Sequence, residues 1–203
     1  MKDKTKTSRQ AILELAREQG ILRPRDVEAL GISRLHVQRL YEKGALLRLG
    51  RGIYVPADAD ASQNAPLAEA CKRVPHGVVC LLSALRFHRL GTQNPHQTWM
   101  AIHPRKHFPR IEYPPLRVVR FSGPALSEGV EEHRTNDGPV RLYGVAKTVA
   151  DCFRYRNKIG LDVALEALRE CRRDRRATLD ELWHYAAVDR LSTVMRPYLE
   201  AVS

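Results

Sequence analysis

A chain of 203 residues, 43% of them hydrophobic, is long enough to bury a core in one large domain or two small ones. Its 34 Lys and Arg against 23 Asp and Glu leave a formal charge of +11 and a pI near 9.9, which favours a polyanionic partner such as nucleic acid. The charged opening MKDKTKTSRQ and the absence of any apolar run near ~18 residues argue against a signal peptide and a membrane span, so a cytoplasmic protein is expected.

The positive charge is densest at the start, where residues 1–57 hold 12 Lys and Arg against 6 Asp and Glu. Ser8 is the candidate N-cap of a first helix, with Ile12, Leu15 and Ala16 on one face and Gly20 ending it. A second helix begins at Arg23-Pro24-Arg25-Asp26, because proline is well placed in a first turn. Val27 and Leu30 are assigned to the core and Gly31 to the turn. Ser33 caps a third helix, Arg34 to Lys43. On it Val37, Leu40 and Tyr41 pack inward, His36 lies half-buried, and Gly44 stops the chain. Ala45–Leu49 and Gly52–Val55 then pair as a hairpin, with Gly50 and Gly52 permitting its tight turn.

Two short helices, a tight turn and a glycine-tipped hairpin define a winged helix-turn-helix over residues 1–57, a module that places one helix in the major groove of DNA. Arg34, Leu35, Gln38 and Arg39 point away from the packing face. Arg pairs bidentately with guanine, Gln with adenine, and Leu35 suits a thymine methyl. Arg48 and Arg51 are placed for phosphates, and Ser33 and Lys43, at the two ends of the helix, complete the DNA-binding set. Glu42 repels phosphate, so the N-terminal half of the helix is the part expected to enter the groove.

Residues 58–65 read as a small, polar linker, and residues 66–203 as a mixed α/β domain ending in helices, which makes the fold class α+β. The elements run as a helix Pro66–Arg73, a strand Val78–Cys80, a helix Ser83–Leu90 closed by Gly91, and strands Trp99–His103 and Leu116–Phe121. Glu131–Arg134 and Val140–Tyr143 form a hairpin around Asn136-Asp137-Gly138. From Gly144 the pattern is helical, with Val145, Val149 and Phe153 on one face. A last helix runs from about Leu179, broken or kinked at Pro197.

Three blocks carry a resemblance. "LLRLGRGIYV", "LLSALRFHRLG" and "RLYGVAKTVADCFRYRNKIGLDVALEAL", in that order, resemble the AbiEi antitoxins, regulators of bacterial type IV toxin–antitoxin systems. The resemblance implies a winged-helix repressor acting on inverted repeats at its own operon. It also implies a C-terminal domain that counters a nucleotidyltransferase-like toxin without forming a stable complex with it. The chain is compact for that family, so a solitary regulator without a toxin partner is the alternative.

Chemistry is otherwise sparse. Cys71, Cys80, Cys152 and Cys171 form no CxxC pair and read as buried free thiols. His88, His96, His103 and His107 match no metal-ligand spacing, so neither metal nor cofactor is expected. Glu131, Glu132, Asp137 and Lys147 make only a loose nuclease-like set, and the chain is not expected to be an enzyme. Asp151, four residues after Lys147 in an apolar helix, reads as an ion pair or polar anchor. The five arginines of Arg169–Arg176 suit either the negative end of a helix or a second nucleic-acid surface.

Overall fold

The structure, a computed structural model, describes residues 2–50, 52–57, 64–111 and 113–202, without the side chains of residues 2–7 and 49. Arg51 and residues 58–63 of the expected linker lie outside this set. Two compact units are present, the first comprising Met1–Arg73, Ile111–Pro114 and Arg134–Val140, the second Val74–Arg110, Pro115–His133 and Arg141–Ser203.

The first unit holds α1 (Lys2–Gln19), α2 (Pro24–Glu28), α3 (Leu35–Glu42), the antiparallel hairpin β1 (Leu46–Gly50) and β2 (Ile53–Pro56), and α4 (Ala65–Arg73). Its core is built by Ile12, Ala16, Leu22, Val27, Val37, Leu40, Leu46 and Tyr54. Leu22 and Tyr54 exchange backbone hydrogen bonds of 2.8 and 2.9 Å, so a one-residue bridge adds a third strand position to the hairpin. Two expectations need correction here. Ser8 does not cap α1, which continues back to Lys2 through residues that tolerate helix without supplying an apolar face. Leu30 is not a core residue: α2 ends at Glu28, so Leu30 sits in the following turn, 53% exposed.

In the second part of the chain come β3 (Val78–Val79), α5 (Leu81–His88), β4 (Thr98–Ile102), β5 (Leu116–Arg120), the short α6 (Pro124–Ser127), β6 (Val130–Thr135) and β7 (Gly138–Tyr143). They form a mixed sheet in the order β5-β4-β3-β7-β6, with β3 antiparallel to β4 but parallel to β7, and β4 parallel to β5. Helices follow: α7 (Val145–Arg154), α8 (Arg156–Ile159), α9 (Leu161–Arg173), α10 (Leu179–Val188) and α11 (Ser192–Glu200). The architecture is α+β, with α7 packed against α5, α9 and α10. Every residue of α7 from Ala146 to Phe153 is buried, the polar Lys147, Thr148 and Asp151 among them. Pro197 does not break the last helix. The break falls at Asp189–Leu191, where Arg190 adopts φ +58°, and Pro197 lies inside α11.

His88, at the end of α5, is buried and donates its Nε2–H to the Tyr143 carbonyl at 2.8 Å. Burial holds its pKa below the usual 6.5, the carbonyl contact opposing. A histidine with a depressed folded pKa contributes stability above its unfolded pKa, and that contribution is lost as pH falls. The thermal midpoint should therefore decline as pH drops below about 6.5. His88→Gln, which retains an N–H donor, should flatten that decline in a pH series of melting curves; an unchanged slope would locate the acid sensitivity elsewhere.

Candidate nucleic-acid interface

Helix α3 has two faces because its apolar residues are spaced three apart. Val37 and Leu40 are buried, while Leu35, Gln38, Arg39 and Glu42, at i, i+3, i+4 and i+7, form a solvent-facing stripe. Leu35 is 62% exposed, an apolar side chain on an otherwise polar face at the helix start. Arg34 occupies the N-cap position and is exposed, and Lys43, at the C-cap, is exposed as well. Ser33 precedes the helix by two residues, its Oγ accepting the Leu35 N–H at 3.4 Å. His36 is half-buried at the seam, and Tyr41 meets Tyr54 edge-on at 6.1 Å.

Gln38 donates its amide Nε2 to Glu42 at 3.0 Å. To read an adenine edge it must release Glu42, an exchange of one exposed hydrogen bond for another. On the hairpin, the exposed Arg48 turns back and donates Nε–H to the Gly50 carbonyl at 3.2 Å. A bulge between Arg48 and Gly50 bends the strand at that point.

What orients α2 and the hairpin is a set of contacts no local pattern announces. Lys72 of α4 forms an ion pair with Asp26 at 2.6 Å, reaches the Gln19 side-chain oxygen at 3.2 Å and donates to the Ile21 carbonyl. Asp26 also accepts the Arg23 N–H at 2.8 Å, securing the start of α2. Burial lowers the Lys72 pKa, with Asp26 opposing, and burial likewise lowers that of Arg23. Behind the hairpin, fully buried Glu69 pairs with Arg73 at 2.8 Å, and burial raises the Glu69 pKa against the pull of Arg73. The Arg73 guanidinium lies so close to Gly50 that a Cβ there would fall 1.8 Å from Nη2. A side chain at position 50 would require the end of the Arg73 side chain to shift, while the left-handed residue of the hairpin turn is Gly52, at φ +70°.

The remaining candidates have structural partners. Of the five arginines in Arg169–Arg176, Arg172 donates to the Val202 and Ala177 carbonyls at 3.4 and 3.3 Å, and Arg176 to the His88 carbonyl at 3.2 Å. Arg173 pairs with Asp174 at 2.8 Å. Three of the five are thus committed to the end of α9 and its surroundings. Asp151 bonds Lys147 within α7, both fully buried, and Lys147 also reaches Asp189 at 3.2 Å. Burial drives the Asp151 carboxyl upward, with Lys147 opposing. Cys80, Cys152 and Cys171 are buried free thiols, and Cys71 is half-buried. Among the described residues, no group of His, Cys, Asp and Glu is arranged to hold a metal ion, and no helix is long and apolar enough to cross a membrane.

Helix α3 with an outward polar stripe, a hairpin behind it and a bridge to Leu22 together define a winged helix-turn-helix, a DNA-binding module of transcription regulators. Residues 10–57 match the family model described as "Transcriptional regulator, AbiEi antitoxin", so the N-terminal segment is similar to the regulator domain of that family. No curated protein matches the chain. The fold is similar to that of the crystal structure of the RV2827C protein from Mycobacterium tuberculosis, with a TM-score of 0.57 at 14% identity over 95% of this chain and 78% of that one.

Proposed function

We propose that this chain is a transcriptional repressor that binds inverted repeats at its own operon through α3 and the wing. The observation that carries the reading is the outward stripe of α3, an exposed leucine beside a glutamine and an arginine, inside the segment that matches the regulator family. Arg34, Leu35, Gln38 and Arg39 read base edges, while Ser33, Lys43, Arg48 and Arg51 hold the backbone. The negative Glu42 keeps the C-terminal half of α3 out of the groove. Residues 66–203, in the same proposal, counter a nucleotidyltransferase-like toxin without stable complex formation, and the protein works in the cytoplasm.

Anisotropy titration with a duplex from upstream of its own gene, beside a scrambled duplex at two salt concentrations, tests the DNA half. A preference of ~10³-fold or more that persists at higher salt is expected. Arg39→Ala should cost about 1–3 kcal/mol and relax specificity at one base pair. Arg48→Ala should weaken both duplexes alike and reduce the salt slope by about 1. Equal affinity for the two duplexes would reduce the winged helix to a general basic surface. Co-expression of a toxin with full-length Arg39→Ala separates the second activity: growth rescue should survive the loss of operator binding.

A further inference from the structure

A basic surface outside the winged helix lies on the connection between β4 and β5. These strands are parallel neighbours joined by residues 103–115, and no helix lies in this segment among the described residues. Long irregular connections within a compact fold are uncommon and usually functional. Residues 96–127 contain five Lys and Arg, namely Arg105, Lys106, Arg110, Arg117 and Arg120, against one acidic residue, Glu112.

The beginning of the connection is built rather than loose. Arg120, on edge strand β5, donates Nη1–H to the carbonyls of both His103 and Lys106 at 2.9 and 2.7 Å. The Lys106 N–H closes a turn on the His103 carbonyl at 3.0 Å, and the Arg105 N–H donates to His103 Nδ1 at 3.1 Å. This turn presents Arg105, Lys106 and His107 to solvent, and Arg105, Lys106 and Arg110 form no ion pair among the described residues. Phe108 follows immediately and is 57% exposed. An exposed phenylalanine flanked by exposed cations offers a ring face for a base and positive charge for the phosphates on either side of it.

We infer that the 103–110 turn is a binding site for single-stranded RNA, with Phe108 stacking an unpaired base and Arg105, Lys106 and Arg110 contacting the adjoining phosphates. A duplex keeps its base faces stacked inside, so Phe108 has no use for one; loops and ends of RNA present unpaired bases for aromatic stacking. An acidic peptide would satisfy the cations but would leave the ring without a planar partner. The inference stands apart from the reading of α3, which concerns duplex DNA and other residues.

The test uses the full chain and fluorescein-labelled 12-nucleotide RNA of mixed sequence, the DNA strand of the same sequence, and the corresponding DNA duplex. Phe108→Ala should weaken RNA binding about tenfold while leaving duplex affinity unchanged, and Phe108→Trp should restore it. Arg105→Ala with Lys106→Ala should weaken RNA binding and lower its salt dependence. Arg48→Ala serves as the converse control, impairing duplex binding alone. Unchanged RNA affinity in Phe108→Ala would overturn the site, as would equal losses on RNA and duplex, or no rescue by tryptophan. Tighter binding of the DNA strand than of the RNA would overturn the assignment to RNA.

Discussion

Lys147→Ala should destabilise the second unit by about 3–5 kcal/mol, read as a lower urea midpoint at unchanged slope. The lysine is fully buried in α7, bonded to Asp151 in the same helix and to Asp189 at the α10–α11 break. Phe121 and Tyr143 offer their ring faces to its ammonium at 5.1 and 4.8 Å. Arg154 supplies a second cation, 3.3 Å from Asp189. Removing Lys147 leaves Asp151 as a buried carboxyl without a cation beside it, and one of its oxygens, Oδ2, already lacks a hydrogen-bond partner. That loss exceeds what truncating an apolar side chain of similar length would bring, because an unpaired buried charge carries its full desolvation penalty. Replacing both partners, Lys147→Met with Asp151→Leu, should recover much of the stability, since a well-packed apolar pair is often as stable as a buried ionic one. A double-mutant cycle then measures the coupling. A cost below about 1 kcal/mol for Lys147→Ala would mean that the charges are solvated in solution and that the rings contribute little.

The Lys147–Asp151 pair was legible because four residues on a helix bring two side chains together, whereas Asp189 lies 42 residues further on and no local pattern points to it. The same limit separates what the N-terminal sequence disclosed from what it hid. Val37 and Leu40 set the inner face of α3, and therefore its outer face, with no tertiary information. The bridge from Leu22 to Tyr54 and the grip of Lys72 on Asp26 are long-range facts. Leu30 misled because its spacing from Val27 is meaningful only while the helix continues, and α2 has ended by then. Boundaries in the helical region misled for a related reason. The left-handed residues near the ends of α5, α9 and α10 are Arg89, Arg175 and Arg190 rather than glycine, so the usual punctuation is missing and Pro197 drew attention instead. Arg48 reads as a phosphate contact from sequence, and what no local pattern discloses is that its Nε–H meets the hairpin's own Gly50 carbonyl. Side-chain direction on a bulged strand does not follow simple alternation.

Gly20→Ala should be the most damaging single methyl in the first unit, at about 2–5 kcal/mol. Two effects add there. Gly20 sits at φ +67°, and left-handed backbone costs an L-residue about 1–2 kcal/mol. A Cβ at that position would also fall 1.9 Å from the Asp137 carbonyl carbon and 2.3 Å from its oxygen. Those are main-chain atoms of the β6–β7 turn and cannot rotate aside, so the overlap adds about 1–3 kcal/mol of displacement. Across that contact, Gly138 at φ +119° would place its own Cβ 2.3 Å from the Gln19 carbonyl oxygen, so two glycines allow two backbones to meet. Gly31→Ala is the matched control: its φ is +72°, but nothing lies within 4 Å of the added methyl. It should show the conformational cost alone. With about 2–4 °C of melting temperature per kcal/mol, the two variants are separable by calorimetry. Gly20 ends α1 two residues before Leu22, whose bridge to Tyr54 ties the wing to the helical core. Gly20→Ala should consequently weaken operator binding even below its melting temperature, whereas Gly31→Ala, at the open turn before α3, should alter it little. Equal destabilisation by the two substitutions would show that the Gly20–Asp137 approach relaxes in solution, leaving backbone conformation as the sole requirement for glycine there.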